Sequence, residues 1–234
     1  HVPTELGTEK VFTLLVRYAV PAIIAMAAAS TYNIIDSIFV GQGVGDMAIS
    51  GMAVASPFMN LSTALGAMVG VGASTVISVR LGQGKYETAQ QVLGNTISLN
   101  VIIGILFTAI CLPLLDPILM LFGASEATLP YARDYMFIIL PGNVFSHMYF
   151  GMNAVLRAAG KPRQAMYATI FTVLMNTALD PLFIYTFNMG IAGAAYATIL
   201  SQIMALTWQM RIFMNKNELL HLRKGTYGLC QDIV

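Results

Sequence analysis

The chain has 234 residues, 57% of them hydrophobic and 10% charged, with 12 Lys+Arg against 11 Asp+Glu and a mean hydropathy of +0.72. That balance excludes an ordinary water-soluble domain, and no basic patch with interleaved aromatics points to nucleic acid. The chain reads as an integral membrane protein whose surroundings are the lipid bilayer.

Division at polar and Gly/Pro punctuation gives six apolar spans, at 12–38, 47–78, 92–112, 130–155, 164–186 and 193–214. Each is long enough to cross a bilayer as a helix of ~20 residues. Barrel strands would alternate apolar and polar residues over ~10 positions, whereas these runs are continuous. The expected fold is therefore all-α, with residues 1–11 as an N-terminal segment, 12–214 as a six-helix transmembrane lobe and 215–234 as a tail.

Span one carries Lys10 and Arg17 at its start, Pro21 early and Asp36 late. It is too long for a signal peptide and lacks a small-residue cleavage site, so it is expected to remain in the mature protein. GQGVGDMAIS at 41–50 reads as a tight turn with Asp46 capping the second helix. Span two holds Pro57 and the pair Gly66 and Gly70, a spacing that suits close helix packing. RLGQGKYETA at 80–89 is a hairpin before span three, where Cys111 sits in an apolar run; with Cys230 it offers no disulfide framework.

The connection near LFGASEATLP, 121–130, is expected to carry a short helical piece. Span four contains Arg133, Tyr135, Pro141 and His147, the last read as an interhelical histidine rather than a proton relay. AAGKPRQ at 158–164 turns the chain into span five, and GIAGAAYAT at 190–198 opens span six with little side-chain bulk. Eleven of the 12 basic residues fall on one side of these spans and only Arg133 on the other. By the positive-inside rule both termini are cytoplasmic in a multi-pass plasma (inner) membrane protein.

Asp36 and Asp180 are the two acids inside apolar segments. A carboxylate at mid-membrane costs ~2.5–3.5 kcal/mol, so it normally faces a cavity or a partner. In LMNTALDPLF, 174–183, Asn176 and Asp180 are four residues apart and share a helix face. Pro181 has no N–H and frees the Thr177 carbonyl. These oxygens suit Na⁺ or a held proton. Chain direction places Asp36, Tyr135, Asn176, Asp180 and Thr198 at similar depth, and Pro21 shares a helix with Asp36, where it offers a bending point.

The stretches YNIIDSIFVG (32–41), VRLGQGKYETA (79–89), NAVLRAAGKPRQAM (153–166), MNTALDPLFIY (175–185) and GIAGAAYATILSQ (190–202) resemble the multidrug and toxic compound extrusion (MATE) transporters, in particular a DinF-like branch. The resemblance covers essentially the whole chain. It implies one six-helix lobe of a twelve-helix antiporter, not an enzyme, that exports organic, cationic amphiphiles against Na⁺ or H⁺. It also implies that Asp36, Asn176, Asp180 and Thr198 form a cation site with Tyr135 as a neighbouring hydrogen-bond residue, that Tyr32 and Asn153 line the substrate cavity, and that Pro21 is the helix-1 hinge. Six helices account for half such a transporter, so the chain is either a fragment or pairs with a second copy to supply the missing lobe.

Two other functions compete. A lipid-linked oligosaccharide flippase of related fold needs a cationic cavity for pyrophosphate, whereas nearly every Lys and Arg here lies at one membrane edge. An intramembrane aspartyl protease would use GVGD at 43–46, with Asp46 and Asp36 as its pair. No P-loop pattern suggests ATP as an energy source, and the 15 Met suit an adaptable cavity wall.

Overall fold

The computed structural model describes residues 10–214; residues 1–9 and the tail 215–234, with Cys230 and the expected linker, lie outside the described residues. In chain order the elements are α1 (Val11–Gly43), α2 (Asp46–Gly82), α3 (Tyr86–Cys111), a short α4 (Leu115–Leu121), α5 (Leu129–Ala158), α6 (Pro162–Pro181), a π-helical turn (Leu182–Thr186) and α7 (Ile191–Met214). No strand occurs among the described residues. The six long helices coincide with the six expected spans.

The helices outrun their apolar stretches. At 37 residues and 1.5 Å per residue, α2 is about 55 Å long, well beyond the ~30 Å of a hydrocarbon core. Backbone hydrogen bonding continues where hydropathy stops, which is why α3 begins at Tyr86 rather than 92. Five of the six are long and apolar enough to cross a membrane; α5 is more polar. It is the central helix, touching α2, α3, α4, α6 and α7, and a helix shielded from lipid by its neighbours needs no apolar circumference.

Two local expectations are corrected. Asp46 is not the cap of α2: Gly45 holds that position with φ 123°, a conformation that glycine adopts without strain, and the Asp46 side chain makes no capping bond. The short helix forms at Leu115–Leu121 rather than within 121–130. Leu115 and Leu119 anchor it in the core, and on its exposed side Arg133 Nε and Nη2 donate to Asp116 Oδ1 and Oδ2 at 2.8 and 2.7 Å. Residues 122–128 instead form a turn in which the Ser125 N–H donates to Thr128 Oγ1 at 2.8 Å and the Thr128 N–H to Ser125 Oγ at 3.3 Å.

Small residues set the distance between helices. A Cβ on Gly70 of α2 would lie 2.7 Å from Gly151 Cα of α5, and one on Gly66 would lie 2.8 Å from the His147 ring. Two apolar clusters result. One gathers Val40, Phe58, Leu119, Met136, Leu140, Ile184 and Ile199; the other, toward the end where α1 and α6 begin, gathers Ile77, Leu93, Met152, Leu156 and Phe213. Between them α5 carries buried Asn143, Ser146 and His147, α2 carries Ser62, and α7 carries Ser201 and Gln202. The bundle thus has a polar layer at mid-height. Helix α1 stands apart, packing mainly on α6 and only lightly on α2 and α7.

These contacts predict opposite outcomes for two nearby glycines. Gly70→Ile forces α2 and α5 apart and is expected to cost at least the ~1–3 kcal/mol of overpacking. Gly72, whose added Cβ meets nothing within 4 Å, tolerates Ala with neutral or higher stability. Thermal unfolding of the purified protein in detergent separates the two.

Candidate functional site

Four expected site residues meet where α1, α6 and α7 come together. Asp36 is 4% exposed, Asn176 and Asp180 1% each and Thr198 4%. Helical spacing puts Asn176 one turn before Asp180 on a common face of α6. Pro181 follows, and because it donates no hydrogen bond the α-helix ends there and the next turn is π. The hydrophobic clusters explain the height of the group: Val40 and Ile184 lie one helical turn beyond Asp36 and Asp180 and belong to one cluster, while Ala168 of α6 belongs to the other.

The Asp36 and Asp180 carboxyl groups face each other across the α1–α6 contact. Two carboxyl groups this close repel when both are ionised, and a proton or a cation shared between them would relieve that repulsion. Asp36 Oδ1 is buried and has no hydrogen-bond partner. An orphaned carboxyl oxygen beside a second carboxyl group, an amide and a hydroxyl is a hard, oxygen-rich donor set, and the four residues fit Na⁺ as well as H⁺. Among the described residues no group of three or more His, Cys, Asp and Glu is assembled.

Asn176 fits its surroundings in two orientations, since an amide's N and O are nearly isosteric. In one, Nδ2 donates to Thr198 Oγ1 at 3.0 Å, the Thr198 hydroxyl donates to the Ala194 carbonyl at 3.0 Å, and Oδ1 faces Asp180. In the other, Nδ2 donates to Asp180 Oδ1 and Oδ2 at 3.2 and 3.0 Å while Oδ1 accepts from Thr198 Oγ1 at 3.0 Å. An ionised Asp180 requires the second orientation; a protonated Asp180 can donate to Oδ1 and permits the first.

Next to this group lies a cavity of about 450 Å³ whose wall includes Asn176 and Thr198 but neither acid. Polar groups of the mid-height layer line the rest. His147 Nε2 lies 3.3 Å from Ser62 Oγ, which supports its reading as an interhelical histidine, and Ser146 donates to Gln202 Oε1. Among the described residues Arg157 is the one formal charge on the lining.

The remaining expectations divide. Asn153 borders the cavity, yet its Nδ2 also donates to the Ala165 carbonyl at 3.0 Å and Thr169 Oγ1 at 3.3 Å, tying α5 to α6. Tyr135, 2% exposed, is buried in the cluster that holds Val40, Ile184 and Ile199 and does not line the cavity. Pro21 sits within α1, 15 residues or about 22 Å along the helix from Asp36. Tyr32 lies in α1, but its side chain is outside the described residues. Asn143, Ser146 and Gln202 were not singled out from sequence; their signal is the run of small polar residues on helices too polar for full lipid exposure.

Known proteins share this architecture. The MatE family matches residues 21–182. Multidrug export protein MepA of Staphylococcus haemolyticus (strain JCSC1435) is 29% identical over 227 residues, 95% of this chain and 50% of that protein. MepA of Staphylococcus aureus (strain NCTC 8325 / PS 47) is 27% identical over 208 residues, 89% of this chain and 46% of that one. An outward-facing multidrug resistance MATE transporter of the MOP superfamily superimposes with a TM-score of 0.87 at 30% identity, covering 94% of this chain and 49% of its own. A MOP superfamily transporter from Pyrococcus furiosus Vc1 (DSM3638), described as having a binding pocket of reverse polarity, gives 0.87 at 30% identity, with 94% and 48% coverage. The chain spans about half the length of the curated relatives it matches.

Thr198 can be tested directly. Thr198→Val strips the buried Asn176 amide of one partner and is expected to cost about 1–3 kcal/mol. Thr198→Ser keeps the hydroxyl and is expected to unfold near the wild-type temperature in the same detergent assay.

Proposed function

The chain belongs to the MatE family, and from that premise we propose that it forms one lobe of a Na⁺- or H⁺-coupled antiporter that exports organic amphiphiles. The observation that carries the reading is the wall between acids and cavity. Asn176 touches the Asp180 carboxyl group on one side and Thr198 on the other, and both Asn176 and Thr198 border the space in which a substrate would sit. Occupation of the Asp36–Asp180 pair by a proton or Na⁺ therefore changes the hydrogen-bonding face offered to substrate. Coupling needs such differential interaction between two states.

Helix α1 is suited to respond, because α6 is its main support and Asp36 forms part of that contact. Entry of the ion from the outer side would neutralise the pair, let α1 shift with Pro21 as its bending point, and weaken the hold on substrate. A second six-helix lobe would close the cavity, and both termini would lie in the cytoplasm of a cell whose plasma membrane the protein spans. The preference for cationic substrates rests on the two acids alone, since among the described residues the lining carries only Arg157 as a charge.

The competing functions fare less well. A pyrophosphate-binding flippase would need several cations on the lining. Asp46 is exposed at the tip of α2, whereas Asp36 is engaged with Asp180, so the two do not make a protease pair.

Dye efflux from proteoliposomes, with the chain joined to a second six-helix lobe, tests the proposal. Imposed Na⁺ and H⁺ gradients identify the driving ion, and Asp180→Asn or Asp36→Asn is expected to lower gradient-driven efflux by about 5- to 150-fold, the usual span of a coupling energy. Asp46→Ala is expected to leave it unchanged. Wild-type efflux by Asp180→Asn would reduce that residue to a structural hydrogen-bond partner.

A further inference from the structure

The wall of the central cavity holds a cation that ion coupling does not use. Arg157, in the last turn of α5, is half-buried and borders the cavity. Among the described residues no carboxylate pairs with it and no carbonyl or hydroxyl accepts a hydrogen bond from its guanidinium; the one titratable group that bears on it is the Tyr149 phenol, which is neutral at ordinary pH. A helix C-terminus is a favourable place for a cation, but that position uses none of the five guanidinium N–H donors.

Helical periodicity decides what accompanies it. Asn143, Ser146, Phe150, Asn153 and Arg157 recur at intervals of three and four residues, which sets them on one face of α5, and all five border the cavity. From Asn143 to Arg157 this stripe runs 14 residues, about 21 Å. One end is polar and uncharged: Ser146 donates to Gln202, which stands one helical turn from Thr198 on α7. Phe150 makes the middle aromatic, its ring centroid 5.2 Å from that of Tyr149. Arg157 closes the other end, about 10 Å along the helix from Phe150. Asp36 and Asp180 lie behind Asn176 and Thr198, at the uncharged end of the stripe.

We propose that Arg157 is an anion subsite of this cavity and that the exported class includes aromatic amphiphiles bearing a carboxylate, with the carboxylate on the guanidinium and the ring system against Phe150. Guanidinium matches a carboxylate through two parallel N–H donors and keeps its charge at all relevant pH. One cation balances one carboxylate, whereas a pyrophosphate would keep surplus negative charge. A basic group at the far end of the same molecule is directed toward the acids, so a zwitterion is complementary to the cavity at both ends. The inference rests on the reading of this cavity as the substrate space.

Rhodamine 110 and rhodamine 123 share one fluorescent ring system and differ in a free carboxylate against its methyl ester, so fluorescence polarisation with the purified chain in detergent provides the test. The wild type is expected to bind rhodamine 110 more tightly. Arg157→Gln is expected to weaken rhodamine 110 binding by about 10- to 100-fold, the span of a hydrogen bond to a charged group, and to leave rhodamine 123 binding unchanged, which also shows that the variant is folded. Lys85→Gln, an equal charge change on the exposed α2–α3 turn, is expected to alter neither. An equal effect of Arg157→Gln on both dyes, or an equal loss of rhodamine 110 in Lys85→Gln, would overturn the anion subsite and leave the cavity as the substrate space. Failure of the wild type to bind either dye would overturn the substrate reading of the cavity and the subsite with it.

Discussion

Two carboxyl groups held against each other inside a membrane bundle constrain everything around them. Each would be costly in hydrocarbon, and among the described residues no Lys or Arg pairs with Asp36 or Asp180. The setting of the pair offers relief, with the Asn176 amide and the Thr198 hydroxyl on one side and, on the proposed reading, a proton or cation shared between the acids. Helix α1 depends on that setting. Its outer face is open, with Ile23 63%, Met26 70% and Ile34 64% exposed, and its packing inside the lobe is mainly on α6. Charge and helix position are consequently one problem.

The rest of the bundle keeps that pair in place by being close-packed above and below it. Gly66 and Gly70 let α2 approach α5 until a Cβ would have no room, and Ala194, Ala195 and Ala197 are fully buried on α7. In lipid there is no hydrophobic drive to bring helices together, so close van der Waals contact along small-residue faces has to supply the association. The two apolar clusters this creates leave the polar side chains of α2, α5 and α7 only one level to occupy. The cavity forms there because serine, asparagine and glutamine fill less space than the aromatic and aliphatic groups of the clusters on either side.

Hydropathy and charge were sufficient to read the six long helices, because bilayer thickness imposes a length that a sequence displays openly. The acids were legible for a related reason, since a charge in an apolar run stands out, and four-residue spacing tied Asn176 to Asp180 without knowledge of any neighbour. Thr198 required chain direction as well. Legibility failed where the outcome depended on contacts between elements. That Asn176 and Thr198 form the cavity wall while the acids lie behind it is fixed by the rotation of α6 and α7 about their axes, which a single sequence does not encode visibly. Asn153 likewise showed its polarity but not its bond to the Ala165 carbonyl. At the far end, Asp46 carried the composition of a cap, yet backbone geometry gave the place to Gly45, and the position of α4 followed from the burial of Leu115 and Leu119 against other elements.

The amide of Asn176 gives this arrangement its directionality. A carboxylate can only accept hydrogen bonds, so an ionised Asp180 draws Nδ2 toward itself and turns Oδ1 to the Thr198 hydroxyl, which must then leave the Ala194 carbonyl. Neutralisation by a proton supplies a donor and removes that demand, allowing the amide to reverse and the hydroxyl to return to Ala194. Sodium differs: it attracts Oδ1 and the hydroxyl oxygen together and repels Nδ2, so it favours the protonated-state orientation without supplying a donor. Both ions therefore bias the wall in the same sense although they differ in chemistry. On the proposed reading, one set of oxygen ligands would therefore serve either ion.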